Sequence, residues 1–428
     1  MRQPFTYEKG KPHSAPKRLS GWIVLYFFSA MAIYAIPHIT YVLFDLSTFS
    51  YGLFLSTFVI WMSPKSWRLV RPSNTLLLLF SVVGAYALTT SLISLIYYHD
   101  AKPLLSFFLT IYLVTTALSI SNIIKSINVR DLSLLIALLS QTILLIGWIA
   151  IFITFAPMAY ASLDKPVFPF YEQSHYALIV GPLAIAQGAT SNQRVKIYIA
   201  ISLFFQALLF PSLTLMMLAF FAVVVFWGST PRIALIFTPL VFAVAFIVLT
   251  SSDPSLAYFS SRTSLSNDSD NISTLVFLQG LQSIKDSFVS TYGLGYGFQR
   301  LGEEPPSDIA YAIKFYKGVF LNRYDGSFLA AKLGAELGII GLLIVLAHAA
   351  YSVRLLRHSS STLINETAIK TRAFSAIVIS FLVEMIFRGY GYFSPSAYIA
   401  LIAIISLSTM PGSEKRVFES TSERKKWR

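Results

Sequence analysis

Apolar runs close to the length of a bilayer crossing recur along this chain, separated for the most part by short polar gaps. A crossing helix needs about 20 mainly apolar residues, because in hydrocarbon every backbone N–H and C=O must be satisfied within the helix itself. On that measure the pattern predicts about twelve spans, at 20–37, 41–62, 75–97, 103–122, 132–155, 174–190, 195–210, 212–228, 232–250, 327–352, 371–388 and 392–410. The stretch 195–228 is a single apolar run interrupted by Pro211, and it reads either as two short helices or as one long kinked helix. Composition agrees with the pattern. Residues are 55% hydrophobic and 12% charged, against about 25% charged in soluble domains. The expected fold class is an all-α polytopic integral membrane protein. Residues 1–19 form a basic arm, 20–410 the membrane domain and 411–428 a basic tail.

Charge adds orientation. Loops facing the cytoplasm carry an excess of Lys and Arg. With the N-terminus inside, 23 of the 33 lysines and arginines fall on the inner side, and the short loops alternate without exception. Most of the others lie in or beside one long gap, where charge is a poor guide. Both termini are therefore expected in the cytoplasm of an inner (plasma) membrane. The same alternation accounts for the net charge of +13 and argues against a nucleic-acid partner. The tail Glu414–Arg428 is expected to lie against anionic lipid head groups. The first apolar run is too long for a signal peptide, and no small-residue cleavage site follows it. There is no cysteine, which excludes disulfides, thiolate metal sites and cysteine nucleophiles. Neither a Walker loop nor a dinucleotide fingerprint is present. No metal and no cofactor are expected.

Two outward gaps are long, about 156–173 and 251–326, and they hold the candidate chemistry. In the first, Glu172 and His175 stand three apart where a helix should begin, with Gln173 or Ser174 near the cap. A carboxylate or imidazole at the mouth of a membrane cavity is placed to take a proton from a hydroxyl. The alternative is that Glu172 complements the helix dipole and His175 is an interfacial side chain. In the second gap, Leu275, Leu278, Leu281 and Ile284 recur at helical spacing, as in an amphipathic helix lying on the membrane or capping a cavity. Gly293-Leu-Gly-Tyr-Gly297 follows, as a turn or as a place of close backbone approach. Arg388 ends an apolar span four residues after Glu384. Either the two pair, or Arg388 snorkels to the interface, or it binds an anion. Convergence of Lys165, Arg262, Arg300 and Arg388 would suit a diphosphate.

The chain resembles the O-antigen polymerase and O-antigen ligase superfamily, and four segments carry the likeness. Lys165-Pro-Val-Phe-Pro-Phe-Tyr-Glu172-Gln173-Ser174-His175-Tyr176-Ala is similar to R-x-x-G-x-F-x-E-P-S-H-[FY]-A. Arg262 with the later Gly293-Leu-Gly-Tyr-Gly-Phe resembles an outer-loop arginine followed by G-x-G-[FY]-G. Gly326-Ser-Phe-Leu and Glu336-Leu-Gly338-Ile-Ile-Gly341 resemble G-S-F-L…E-x-G-I-I-G at the start of a late span. Arg388-Gly-Tyr-Gly-Tyr-Phe resembles a polymerase feature near the C-terminus. Lys165 stands where the family usually has Arg and Gln173 where it has Pro. Asp325-Gly326-Ser327 stands where ligases carry a His-Asn pair, which favours polymerase over ligase. The resemblance implies a GT-C-like, metal-independent membrane glycosyltransferase with a large, partly helical periplasmic loop between its ninth and tenth spans. Its donor and acceptor would be undecaprenyl-diphosphate-linked oligosaccharides. Glu172 or His175 would act as base, and the cationic side chains would hold the diphosphate. A chain-length-regulating membrane co-polymerase is the expected protein partner. The competing readings are a ligase acting on a lipid core and a transporter of the same lipid-linked sugars.

Overall fold

The computed structural model describes residues 21–46, 48–62, 67–153, 155–163, 166–228, 271–358 and 366–410. Among them all extended regular structure is helical, apart from one isolated bridge between Val167 and Phe170. The first half holds α1 (Gly21–Leu43), α2 (Ser50–Trp61), α3 (Asn74–Tyr98), α4 (Lys102–Ser126), α5 (Val129–Phe152), α6 (Gln173–Thr190), α7 (Gln193–Leu209) and α8 (Leu213–Trp227). The second half holds α9 (Ile272–Thr291), α10 (Asp308–Lys317), α11 (Leu329–His358), α12 (Glu366–Ser380), α13 (Leu382–Ile386) and α14 (Pro395–Ser408). Of these, α1, α3, α4, α5 and α11 are long and apolar enough to cross a membrane on their own. Helices overlap eleven of the twelve predicted spans, and the remaining one, 232–250, lies outside the described residues.

Two boundaries differ from expectation, and one open alternative is decided. The first helix continues to Leu43, so α2 is only 12 residues long, about 18 Å at 1.5 Å per residue and short of a full crossing. Gly52 lets α2 press on α1, since a Cβ there would lie 2.4 Å from Pro37 Cα. The interrupted run resolves into two helices that pack on each other, α7 and α8, parted at Phe210-Pro211-Ser212. The late span at 371–388 is α12 followed, after Phe381, by the short α13.

Helix α6 is the centre of the bundle. It is buried along most of its length and packs against α5, α8 and α12. Lipid is as apolar as leucine, so close packing and interhelical hydrogen bonds hold such a bundle together. Gly147 in α5 leaves room for the Tyr176 hydroxyl, which donates to Gln206 Oε1 at 2.6 Å; Gln206 Nε2 in turn donates to the Leu144 carbonyl at 3.0 Å. Gln141 and Gln187 join α5 to α6 at 2.8 Å.

The glycine run Gly293–Gly297 is bonded into the helices beside it, although its Leu294 side chain is exposed. Helix α9 descends beside α11 in the same direction. Its Gly280 faces Gly326 and Phe328, its Ile284 faces Gly334, and Ser287 Oγ donates to the Ala335 carbonyl at 2.6 Å. At the lower end α11 breaks at Gly338 (φ 57°, ψ −132°), and the glycine run takes up the freed backbone groups. Tyr296 N and Gly297 N donate to the carbonyls of Ala335 and Glu336, and Ile339 N donates to that of Gly293, each at 2.9 Å. The Tyr86 hydroxyl closes the turn by donating to the Leu294 carbonyl at 2.5 Å. Tyr86 lies about 18 Å along α3 from its end at Tyr98, so this irregular backbone sits deep in the helix layer. It is tolerated there because protein groups satisfy it. The predicted stripe in α9 is correspondingly not a single buried face. Leu275 is fully buried, Leu281 is exposed, and the side packed on α11 is the one with Gly280, Ile284 and Ser287.

Candidate functional site

Three chain turns meet at the end of the bundle where α1, α3 and α5 terminate. They are the segment before α6, the turn from α13 to α14, and the approach to α11. Glu172 is the N-cap residue of α6, with extended backbone (φ −151°) and no side-chain capping bond. The cap thus lies one or two residues before the expected Gln173 or Ser174, and the carboxylate is turned elsewhere. Its Oε1 accepts from Arg388 Nη2 at 2.7 Å and from the Tyr390 hydroxyl at 3.0 Å, and it also bonds the Ser174 hydroxyl. Ser174 Oγ and Tyr390 OH lie 2.6 Å apart, and Arg388 Nε donates to the same tyrosine oxygen at 3.1 Å. Both charged side chains keep some exposure, 33% for Glu172 and 23% for Arg388. Burial pushes the Glu172 carboxyl up, but Arg388, His175 and the Ser174 bond outweigh it and hold the group down at about 2. Burial also raises the Tyr390 phenol, against the pull of Arg388.

His175 shares the helix face with Glu172, as the spacing predicts; its Nε2 is 3.8 Å from Glu172 Oε1. It is buried, its ring centroid 3.6 Å from that of Tyr390. Its Nδ1 is 3.3 Å from Nδ1 of His38, a second buried histidine next to Pro37 in α1. One of these two nitrogens must carry the proton and the other accept it, so the tautomers of His38 and His175 are coupled. His38 packs edge-on against Phe49 and Phe170, and its Nε2 has no partner.

A second network lies on the other side of the Arg388–Phe393 turn. Lys332 and Glu336, one turn apart on α11, are almost fully buried and 3.2 Å apart. Lys332 Nζ also donates to the Tyr324 carbonyl at 2.5 Å and stands 5.3 Å from the Tyr392 ring centroid. The Glu336 carboxylate accepts from Gln299 N at 2.8 Å and Leu301 N at 3.3 Å, which ties the end of the glycine run to α11. Between the networks lies Asp325. A Cβ on Gly391 would stand 3.1 Å from Asp325 Oδ1, and Gly391 itself has φ 77°. Asp325 is half-buried, and burial pushes its carboxyl up against the pull of Lys332.

Glu172, His175 and Arg388 are therefore brought together, from positions 216 residues apart in the case of the ion pair. The Glu384–Arg388 pair does not form. Glu384 is buried, accepts from Ser394 Oγ at 2.5 Å, and its second oxygen has no partner. Arg300 is held apart from this group, with its guanidinium 3.7 Å over the Tyr98 ring and its Nε 2.8 Å from Glu303. Lys165 and Arg262 lie outside the described residues, so convergence of the four cations is not seen. Sequence reasoning missed His38, Ser174, Lys332 and Asp325 as members of the site. A histidine within an apolar span is itself a signal, because ionisable groups at membrane depth face a cavity or each other. Among the described residues no cluster of His, Asp and Glu has the makings of a metal site. Comparison with protein-family models and with curated proteins finds no match to the chain.

Proposed function

We propose that this protein is a membrane glycosyltransferase that polymerises undecaprenyl-diphosphate-linked oligosaccharides. In this reading the growing glycan passes from its lipid diphosphate to a sugar hydroxyl of a new lipid-linked unit, at the outer face of an inner membrane with both termini cytoplasmic. The observation that carries the reading is the junction of Arg388 and Tyr390 with Glu172, Ser174 and His175. It unites two segments whose resemblance to polymerases was read independently. A co-polymerase partner belongs to the same proposal.

The chemistry suits the groups present. The acceptor oxygen forms a bond to the anomeric carbon while the bond from that carbon to the diphosphate breaks, and the diphosphate leaves with the electron pair. Negative charge grows on the leaving group, and an oriented cation stabilises it most where water is scarce. Arg388, with Glu172 and Tyr390 on one side of its guanidinium, is an aimed donor for that charge. Glu172, held at about 2, is a weak proton acceptor and serves better as the counter-charge that aims Arg388. The acceptor proton then passes to Asp325, whose carboxyl is pushed the opposite way, while the buried His175 positions Glu172. The direct test is purified protein with lipid-linked repeat units, scored for dimer over time. Polymer formed by the parent, lost with Arg388→Ala and reduced by about 10²–10⁴-fold with Asp325→Asn, supports the reading. No dimer from the parent, with glycan instead appearing on a lipid-core acceptor, makes the protein a ligase and overturns it.

A further inference from the structure

The surface of α10 is inverted for a helix that faces water. Its inner side is buried at Ala310 and Ile313, with Ile313 packed on Leu275 and Val276 of α9. Its outer side presents Tyr311 at 55% exposure and Phe315 at 85%, and Val319 just beyond the helix is 56% exposed. Lys314 and Lys317 stand exposed in the last turn, with Lys314 Nζ 4.7 Å from the Phe320 ring centroid. The helix is well defined at both ends, by the Ser307 hydroxyl accepting from Ala310 N and by Gly318 at φ 76°, so the aromatic display is not a frayed end.

Depth follows from the neighbours. Gly280 of α9 is level with Gly326 and Phe328, at the start of α11, which is one of the helices long enough to cross a membrane. Leu275 lies about 7 Å farther out along α9, and α10 packs there. The polar layer on each side of the hydrocarbon is about 5–8 Å thick. Aromatic side chains interleaved with lysine are what that layer favours: rings at the head-group level, ammonium groups among phosphates.

We propose that α10 is a membrane-surface helix, with Tyr311, Phe315 and Val319 seated among the lipid head groups and Lys314 and Lys317 at their phosphates. It ties the segment between α9 and α11 to the bilayer at the margin of the candidate site, and this holds whatever reaction the site performs. The chain has no cysteine, so single labels are unambiguous. Nitroxides at Tyr311→Cys and Val319→Cys are placed in the full chain, in nanodiscs of phosphatidylglycerol and phosphatidylethanolamine holding one protein each. Ser162→Cys, on the exposed turn before α6, serves as the water-exposed reference and Val82→Cys on α3 as the lipid-exposed one. Collisions with dissolved oxygen should exceed those with an aqueous nickel chelate several-fold more at 311 and 319 than at 162. Phe315→Asp should return the 319 label to the chelate, and Lys314→Gln with Lys317→Gln should weaken protection in phosphatidylglycerol but not in discs of zwitterionic lipid. Labels at 311 and 319 as open to the chelate as the one at 162 would overturn the proposal. So would protection that appears only in discs holding two chains, which would assign this face to a second copy.

Discussion

Glu172 and Arg388 meet at 2.7 Å across 216 residues of chain, and the pair makes a titratable contribution to stability. The folded-state value of Glu172, about 2, lies below its ordinary 4.5, so the unfolded chain takes up the proton first as pH falls. The contribution is complete above pH 4.5, declines between 4.5 and 2, and is gone below. With both side chains partly exposed, its size at neutral pH should be roughly 1–3 kcal/mol. Thermal unfolding midpoints in detergent should therefore fall for the parent between pH 5 and pH 3 by more than for Glu172→Gln; parallel curves would show that the pair stabilises nothing. The histidine pair makes a separate prediction. His38 and His175 share a hydrogen bond in a buried place, where removing one partner strands the other. His38→Leu and His175→Leu should each destabilise, and the double variant should cost less than their sum by roughly 0.5–3 kcal/mol. Additive midpoints would remove His38 from the site.

At the scale of elements, the broken helix α11 and the glycine turn below α9 depend on each other. Gly338 has a positive φ, and a Cβ there would lie 2.0 Å from the Gly293 carbonyl oxygen. Gly84, in the middle of α3, has open space where its Cβ would be. Substituting each by alanine should have opposite signs. Gly84→Ala gains helix propensity, of order 0.5–1 kcal/mol. Gly338→Ala must either move the turn or straighten α11, and at a backbone-on-backbone clash the loss should exceed about 3 kcal/mol. Unfolding midpoints of the two variants against the parent decide it, and a neutral Gly338→Ala would mean that the break is not required. Hydropathy cannot tell these glycines apart, because both sit in apolar runs and only the neighbouring backbone distinguishes them.

For the whole molecule, what the sequence could supply was whatever is periodic or local. Apolar length foretold a helix at eleven of the predicted stretches, five of them long and apolar enough to cross a membrane, and i,i+3 spacing put Glu172 and His175 on one face. What it could not supply was pairing between distant segments. Arg388 is four residues from Glu384 and 216 from Glu172, yet it binds the distant carboxylate, because Glu384 is turned inward to Ser394. The depth of the glycine run was hidden for the same reason: besides local bonds to the end of α9, it bonds to α3 and α11, which are far away in sequence. Sidedness, in contrast, is a property of the summed charge of the loops and can be tested directly. The candidate site, with Glu172, Asp325 and Arg388, lies at the end of the bundle opposite to the turn from α4 to α5. At that turn Lys125 and Arg130 flank the chain reversal, and Lys370 of α12 donates to the Ile127 carbonyl at 2.5 Å and the Lys125 carbonyl at 3.2 Å. The excess of positive residues belongs on the cytoplasmic side, so the proposed orientation expects Ser126 inside and Ser162, on the turn before α6, outside. Both are exposed, so neither cysteine replacement disturbs packing. An impermeant thiol reagent applied to intact spheroplasts should label Ser162→Cys and leave Ser126→Cys untouched until the membrane is opened. Labelling of Ser126→Cys in sealed cells, with Ser162→Cys protected, would place the Glu172–Arg388 site in the cytoplasm and remove the basis for chemistry on an outward-facing lipid-linked glycan.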